Sequence, residues 1–180
     1  NISSECNIIP YDYGDSLCWE IDNPKDLDYI RNRLDDINNR TVYMCFSTDI
    51  IHSGHISIIR KAAGLGKLII GVLSDEAVAS YKRFPLLPFS ERIIMFENLT
   101  NVHKVVTQQT LSYRDNVREY KPDLVVHGDD WMDGIQKSIR KEVIEELSKY
   151  GGKLIEFPYT YNETFIQLER RARADLSTPD

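Results

Sequence analysis

Cysteine, glycine and proline are all sparse in this 180-residue chain, and its basic residues are outnumbered by its acids. The three cysteines, Cys6, Cys18 and Cys45, are too few and too scattered for a disulfide framework or a zinc site. Cys45 lies inside an apolar run and reads as a buried thiol, and this usage fits a reducing cytoplasm. No apolar run is long enough to cross a bilayer, and the first residues lack the basic, then apolar, pattern of a secretion signal. With 22 Lys and Arg against 28 Asp and Glu, the net charge is −6. That balance argues against nucleic acid as the main partner, because a phosphate backbone selects a basic surface. It leaves room for a nucleotide, which needs only a local cluster of donors. There is no internal repeat and no low-complexity tract. What is present is a hydrophobic fraction of 42% and an aromatic fraction of 10%, enough for a real core and against disorder.

The organisation changes along the chain. Residues 1–22 are polar and weakly patterned. Asn23-Pro24 opens a helix, since Asn caps well and Pro suits the first helical position. Leu27, Ile30, Leu34 and Ile37 recur at helical spacing, so this helix is expected to dock one face, and Asn38-Asn39 closes it. Residues 1–39 therefore read as an N-terminal extension and residues 40–180 as the principal domain. From Thr41 onward, short Val- and Ile-rich runs alternate with helical stretches. The predicted strands are Val42–Phe46, Leu68–Leu73, Val102–Val106, Leu124–His127 and Leu154–Phe157. The predicted helices between and after them are Gly54–Leu65, Asp75–Tyr81, Glu91–Leu99, Tyr113–Tyr120 and Lys137–Tyr150. Ser90 and Ser112 are the expected N-caps, and Gly151-Gly152 the expected stop of the last helix. Continuous rather than alternating apolar runs suit strands buried on both faces. The pattern predicts βαβ units with right-handed crossovers: an α/β, Rossmann-like, doubly wound sheet of five parallel strands.

In such sheets, ligands sit beyond the carboxyl ends of the strands. Three connections there carry unusual residues. The first runs Phe46-Ser47-Thr48-Asp49-Ile50-Ile51-His52-Ser53-Gly54-His55 into a helix. His52 and His55, three apart, share one face at the helix start, beside free N–H groups and the positive end of the helix dipole. That is an anion site suited to phosphate, and Gly54 permits close approach. The plain alternative is a capped helix with two solvated histidines. A metal pair is another, but no third ligand is evident beside them. The second connection is His127-Gly128-Asp129-Asp130-Trp131. Its carboxylates can accept from a base amino group or ribose hydroxyls or help hold Mg²⁺, and Trp131 offers an apolar wall. A polar turn with a helix-capping Asp is the alternative. The third is Tyr81-Lys82-Arg83-Phe84-Pro85 with Ser90-Glu91-Arg92. There Lys82 or Arg83 could neutralise triphosphate oxygens and Arg92 could clamp them bidentately, unless these are solvated loop charges.

These motifs carry a resemblance. His52-Ser53-Gly54-His55 resembles the HxGH signature of the nucleotidyltransferase superfamily, and Gly128-Asp129-Asp130-Trp131 is similar to the GDDW loop of its glycerol-3-phosphate cytidylyltransferase branch. The stretch Val42–Phe157 resembles the cytidylyltransferase domain fused to phosphoenolpyruvate mutase in phosphonate biosynthesis, notably in Ser74–Arg83, Val126–Trp131 and Gly151-Gly152-Lys153-Leu154. The ending Ser177-Thr178-Pro179-Asp180 looks like a linker into a mutase domain. The segment Cys18–Leu27 looks like the tail of a sugar-nucleotide-type nucleotidyltransferase domain, so the chain is expected to be part of a larger protein.

The resemblance implies transfer of CMP from CTP to a small phosphonate, such as 2-aminoethyl- or 2-hydroxyethylphosphonate, or to a related phosphate. Pyrophosphate is released, in phosphonate or cell-surface polymer biosynthesis. It implies His52, His55 and Lys82 as catalytic residues. It implies nucleotide contacts from Phe46, Ser47, Thr48, Asp49, Gly54, Arg83, Arg92, Gly128, Asp129, Asp130, Trp131, Tyr159, Thr160 and Thr164. It also implies Mg²⁺ carried on the phosphates and a homodimer. Two departures stand out. Phe46 replaces the glycine that usually opens the first motif. Tyr161-Asn162-Glu163-Thr164-Phe165-Ile166 replaces a segment like Glu-Gly-Ile-Ser-Ser-Thr, keeping a hydroxyl only at Thr164, and Glu163 adds a negative charge near the phosphates. A degenerate nucleotide-binding or structural module is therefore the alternative, and an adenylyltransferase of the same superfamily the third reading.

Overall fold

The computed structural model describes residues 21–82, 84–131, 136–158, 167 and 170–171. The chain divides into two compact units, Asn1–Asp36 and Ile37–Asp180. Helix α1 spans Pro24–Asn39. Asn23 starts it as the sequence suggests: its Oδ1 accepts from the N–H groups of Lys25 (2.9 Å) and Asp26 (3.2 Å), and the Asp26 carboxylate accepts back from the Asn23 N–H at 3.1 Å. Ile30 is the one buried residue of α1, and Leu34 is 42% exposed.

The second unit holds five strands: β1 (Thr41–Phe46), β2 (Lys67–Leu73), β3 (Lys104–Gln108), β4 (Leu124–Gly128) and β5 (Lys153–Phe157). All pairings are parallel, and the spatial order is β3-β2-β1-β4-β5. The chain thus winds outward from β1 to β3, then returns to lay β4 on the other side of β1. Strand alternation sends residues to two cores. Val42, Met44, Phe46, Leu68, Ile70, Val72 and Val126 meet Ile59 and Ala62 of α2 (Ser53–Ala63) and Phe96 of α4 (Phe89–Glu97). Tyr43, Ile69, Val106 and Val125 meet Val117 of α5 (Arg114–Tyr120) and Val143 and Leu147 of α6 (Gln136–Ser148). Helices therefore cover both faces, which is why β1, β2 and β4 read as unbroken apolar runs.

Several boundaries shift from the sequence reading, three of them for reasons the packing shows. The third strand begins at Lys104, because Leu99–Val102 closes a turn through Val102 N–H to the Leu99 carbonyl (3.1 Å). Helix α4 begins at Phe89 with Pro88 as its N-cap, not Ser90. Its first N–H is taken instead by the Asp75 carboxylate, 3.1 Å from Phe89 N. Helix α3 (Asp75–Ala79) stops before Tyr81, which frees Tyr81 and Lys82 to turn toward the end of β1. Gly151 ends the last helix region at φ +87°, and Gly152 N–H caps the Leu147 carbonyl at 3.0 Å.

A candidate nucleotide site at the switch point of the sheet

Strands β1 and β4 diverge. Their ladder holds two partner pairs, Val42↔Leu124 and Tyr43↔Val125, although each strand runs three residues further. The six residues past the last pair, Met44–Phe46 and Val126–Gly128, all line a cavity of about 320 Å³. This is the point where the strand order reverses, and it is where an α/β sheet of this kind opens a crevice for ligand.

The two histidines stand at its mouth. His52 is the N-cap of α2 in extended backbone, and its Nδ1 accepts from Gly54 N–H at 3.1 Å. His55 reaches back, and its Nδ1 accepts from His52 N–H at 3.4 Å. The imidazoles replace the hydroxyl and carboxylate of an ordinary capping box. Accepting at Nδ1 assigns the His52 proton to Nε2, while His55 also bonds the Ile50 backbone. The rings lie 3.9 Å apart, and both line the cavity. Burial, then the neighbouring His52 charge, pushes His55 down to about 4, and burial also lowers His52. Both are neutral at neutral pH. Phe46, standing where a glycine was expected, stacks on Phe96 (5.0 Å) and sets its ring edge-on to His55 (5.6 Å, 84°). It therefore backs the histidine from the core.

Lys82 and Tyr81 converge on one hydroxyl. Ser47 Oγ accepts from Tyr81 Oη–H at 2.6 Å and from Lys82 Nζ at 3.1 Å, and all three residues line the cavity. Thr48 shapes the same loop by donating to the Ile50 carbonyl at 2.7 Å and accepting from Ile50 N–H at 3.2 Å. Asp49 is buried, accepts from Leu87 N–H at 3.3 Å and lines the cavity. Arg92 is a correction. It is 0% exposed and does not line the cavity. Its guanidinium is given to Asp75 Oδ1 (2.6 Å) and the Leu87 carbonyl (3.1 Å), so it staples α4 to α3 rather than clamping a phosphate. Arg83, Tyr159, Thr160 and Thr164 lie outside the described residues.

The acidic turn completes the enclosure. Gly128, Asp130 and Trp131 line the cavity, whereas Asp129, exposed on the 3-10 turn Asp129–Trp131, does not. Trp131 is 1% exposed, and its indole lies parallel to the His127 ring (3.8 Å, 4°). Gln108 and Tyr113 are cavity residues that sequence reasoning did not single out, and His127 and Tyr81 stood in the second and third connections without an assigned role. His127 is the penultimate residue of β4, just before that turn. Its Nδ1 lies 2.8 Å from the Gly128 carbonyl, which fixes that nitrogen as N–H, and burial lowers its pKa. Among the described residues, no group of three or more His, Cys, Asp and Glu side chains could hold a metal ion. No helix among them is long and apolar enough to cross a membrane.

Fold and site together define a Rossmann-like α/β architecture with its cavity at the β1/β4 switch point. Residues 45–178 match the cytidylyltransferase-like family, and the chain belongs to it. Among its relatives is an ethanolamine-phosphate cytidylyltransferase of Arabidopsis thaliana, 34% identical over 95 residues, covering 49% of this chain and 23% of that one. An FAD synthase of Aciduliprofundum boonei is 34% identical over 107 residues (59% of this chain, 68% of that one). The bifunctional protein HldE of Helicobacter pylori is 32% identical over 132 residues, 72% of this chain but 26% of its own. A lipopolysaccharide core biosynthesis protein from Thermoplasma volcanium shares the fold, with a TM-score of 0.59 at 22% identity over 68% of this chain and 98% of that one.

Proposed function

We propose that this chain transfers CMP from CTP to a small phosphonate, of the 2-aminoethyl- or 2-hydroxyethylphosphonate kind, or to a related phosphate. The observation that carries it is the meeting of His52, His55 and Lys82 with the Gly128–Trp131 turn in one cavity. An acceptor oxygen forms a bond to the α-phosphorus of CTP, the bond between that phosphorus and the bridging oxygen to the β-phosphate breaks, and pyrophosphate leaves. The neutral imidazoles serve as N–H donors to the charge that grows on the α-phosphoryl oxygens, and Lys82 supplies the cation. Mg²⁺ would arrive on the triphosphate and offset its charge; among the described residues Asp49 and Asp130 are the carboxylates that line the cavity.

The cytidylyltransferase-like family supports the reaction class, and a relative named for a phosphorylated amino alcohol supports a small phosphate-bearing acceptor. The choice of phosphonate, a homodimer, a cytoplasmic setting and fusion to a phosphoenolpyruvate mutase-like domain rest on the sequence resemblance. The changed segment Tyr161–Ile166 favours a second reading, a nucleotide-binding module without turnover. Pyrophosphate release is the test, with CTP or ATP against a panel of phosphonates and phosphomonoesters. Release with CTP and one phosphonate is expected. Saturable CTP binding by calorimetry without release supports the module, and release with ATP alone, a choice the FAD synthase relatives make worth testing, overturns the cytidylyl reading.

A further inference from the structure

The wall of the cavity is held by a clasp that reaches across three elements. The β4/β5 register places His127 beside Glu156. Trp131 folds back from the 3-10 turn onto the His127 ring, and its Nε1–H reaches across to Glu156 Oε1 at 2.7 Å. Arg140, from α6, grips the same carboxylate with both edges of its fork: Nε to Oε1 at 2.8 Å and Nη2 to Oε2 at 2.7 Å. Trp131 and His127 line the cavity, whereas Glu156 and Arg140 do not. An indole that is 1% exposed must satisfy its N–H internally, so the depth and tilt of this wall depend on where Glu156 Oε1 sits. That oxygen takes two donors at once, and the second sets its position. A bidentate Arg–carboxylate pair fixes direction as well as distance.

We propose that Glu156 and Arg140 are positioning residues for the nucleotide: they hold Trp131, and through it His127, in the plane that receives the nucleoside part of the ligand. The inference rests on the nucleotidyltransferase reading of this cavity, but the clasp also has a readout of its own.

The test uses the full chain. Glu156→Ala is expected to raise the KM for CTP by about tenfold, the worth of a hydrogen bond to a charged group, while kcat falls less than about threefold. Glu156→Gln keeps an acceptor for the indole and recovers most of the loss. Arg140→Met is expected to raise KM in the same direction, and it serves if Glu156→Ala does not fold. Arg118→Ala is the matched control. It breaks a bidentate pair of similar geometry, to Glu146 Oε1 and Oε2 at 2.9 and 3.0 Å between α5 and α6, neither residue of which lines the cavity. Its KM should stay at the wild-type value even where stability drops. A KM unchanged in both Glu156→Ala and Arg140→Met overturns the proposal, as does an equal rise in the Arg118→Ala control. In a Trp19→Phe background Trp131 is the single tryptophan, and Glu156→Ala should red-shift its emission. If the wild type turns over no nucleotide but that shift appears, the catalytic reading fails and the clasp stands. If the emission is unmoved, the clasp itself fails.

Discussion

His52 and His55 cap the same helix start from opposite directions, the His52 N–H reaching His55 Nδ1 at 3.4 Å while the two rings lie 3.9 Å apart. The consequence is a pair of imidazoles whose Nδ1 atoms are committed to the backbone and whose orientation is set before any ligand arrives. A donor preorganised in this way typically contributes about 2.7–4 kcal/mol to a transition state. His55→Ala is therefore expected to lower turnover by at least about a hundredfold with little change in KM. Circular dichroism should show the domain still folded, since the helix loses one cap contact and keeps the other. Near-normal turnover would remove the histidine from the mechanism.

The same burial makes the histidines an acid liability. His55 falls from 6.5 to about 4, with His52 and His127 lowered in the same direction. Between those values the unfolded chain binds a proton that the folded chain refuses. The contribution is fully present above 6.5, declines as pH falls and is gone below about 4. Urea midpoints measured from pH 7 to 4 should fall steadily, and His55→Gln should flatten part of that slope. A mutant slope equal to the wild type would show that His55 titrates normally.

Much of this was legible in the sequence, for identifiable reasons. The five strands announced themselves because β1, β2 and β4 are covered on both faces and so read as apolar runs. The His52–His55 and Gly128–Trp131 stretches stood out because their unusual residues are contiguous, and the cavity draws lining residues from both. What escaped was tertiary. Arg92 looked like a phosphate clamp, since nothing local reveals that Asp75, seventeen residues earlier, takes its charge. Ser90 looked like a cap because the real acceptor for the first N–H of α4 is that same Asp75. His127 and Glu156 become partners only through the β4/β5 register, and Tyr81 joins Ser47 only because α3 ends early.

Gly71 is a further case of sequence context hidden until strands pair. It lies in the middle of β2, where glycine ordinarily weakens a strand. A Cβ added there would collide with Tyr43 Oη, which is buried and donates to Gln108 Oε1 at 2.7 Å. The glycine makes room for that hydroxyl. Gly71→Ala is expected to displace Tyr43, leave Gln108 short of a donor and cost about 1–3 kcal/mol, the overpacking range. Thermal unfolding would show it. Tyr43→Phe in the same background should relieve part of the clash, so a double mutant less stable than the sum of the singles would contradict this reading.

Arg92 and Asp75 should respond unequally to truncation. Arg92 is fully buried, and among the described residues its Nη1 has no hydrogen-bond partner, while the Asp75 side chain is 32% exposed. Asp75→Ala strands a buried guanidinium and strips the Phe89 N–H of its acceptor. Breaking such a pair from the side that leaves the buried charge costs about 3–5 kcal/mol. Arg92→Met removes the buried charge together with its unsatisfied nitrogen and leaves a carboxylate that water can reach. It should therefore cost clearly less. Because Arg92 does not line the cavity, CTP affinity measured by calorimetry on folded Arg92→Met should match the wild type. A large loss of affinity there would return Arg92 to the nucleotide, and equal destabilisation by the two substitutions would show that burial does not govern the pair.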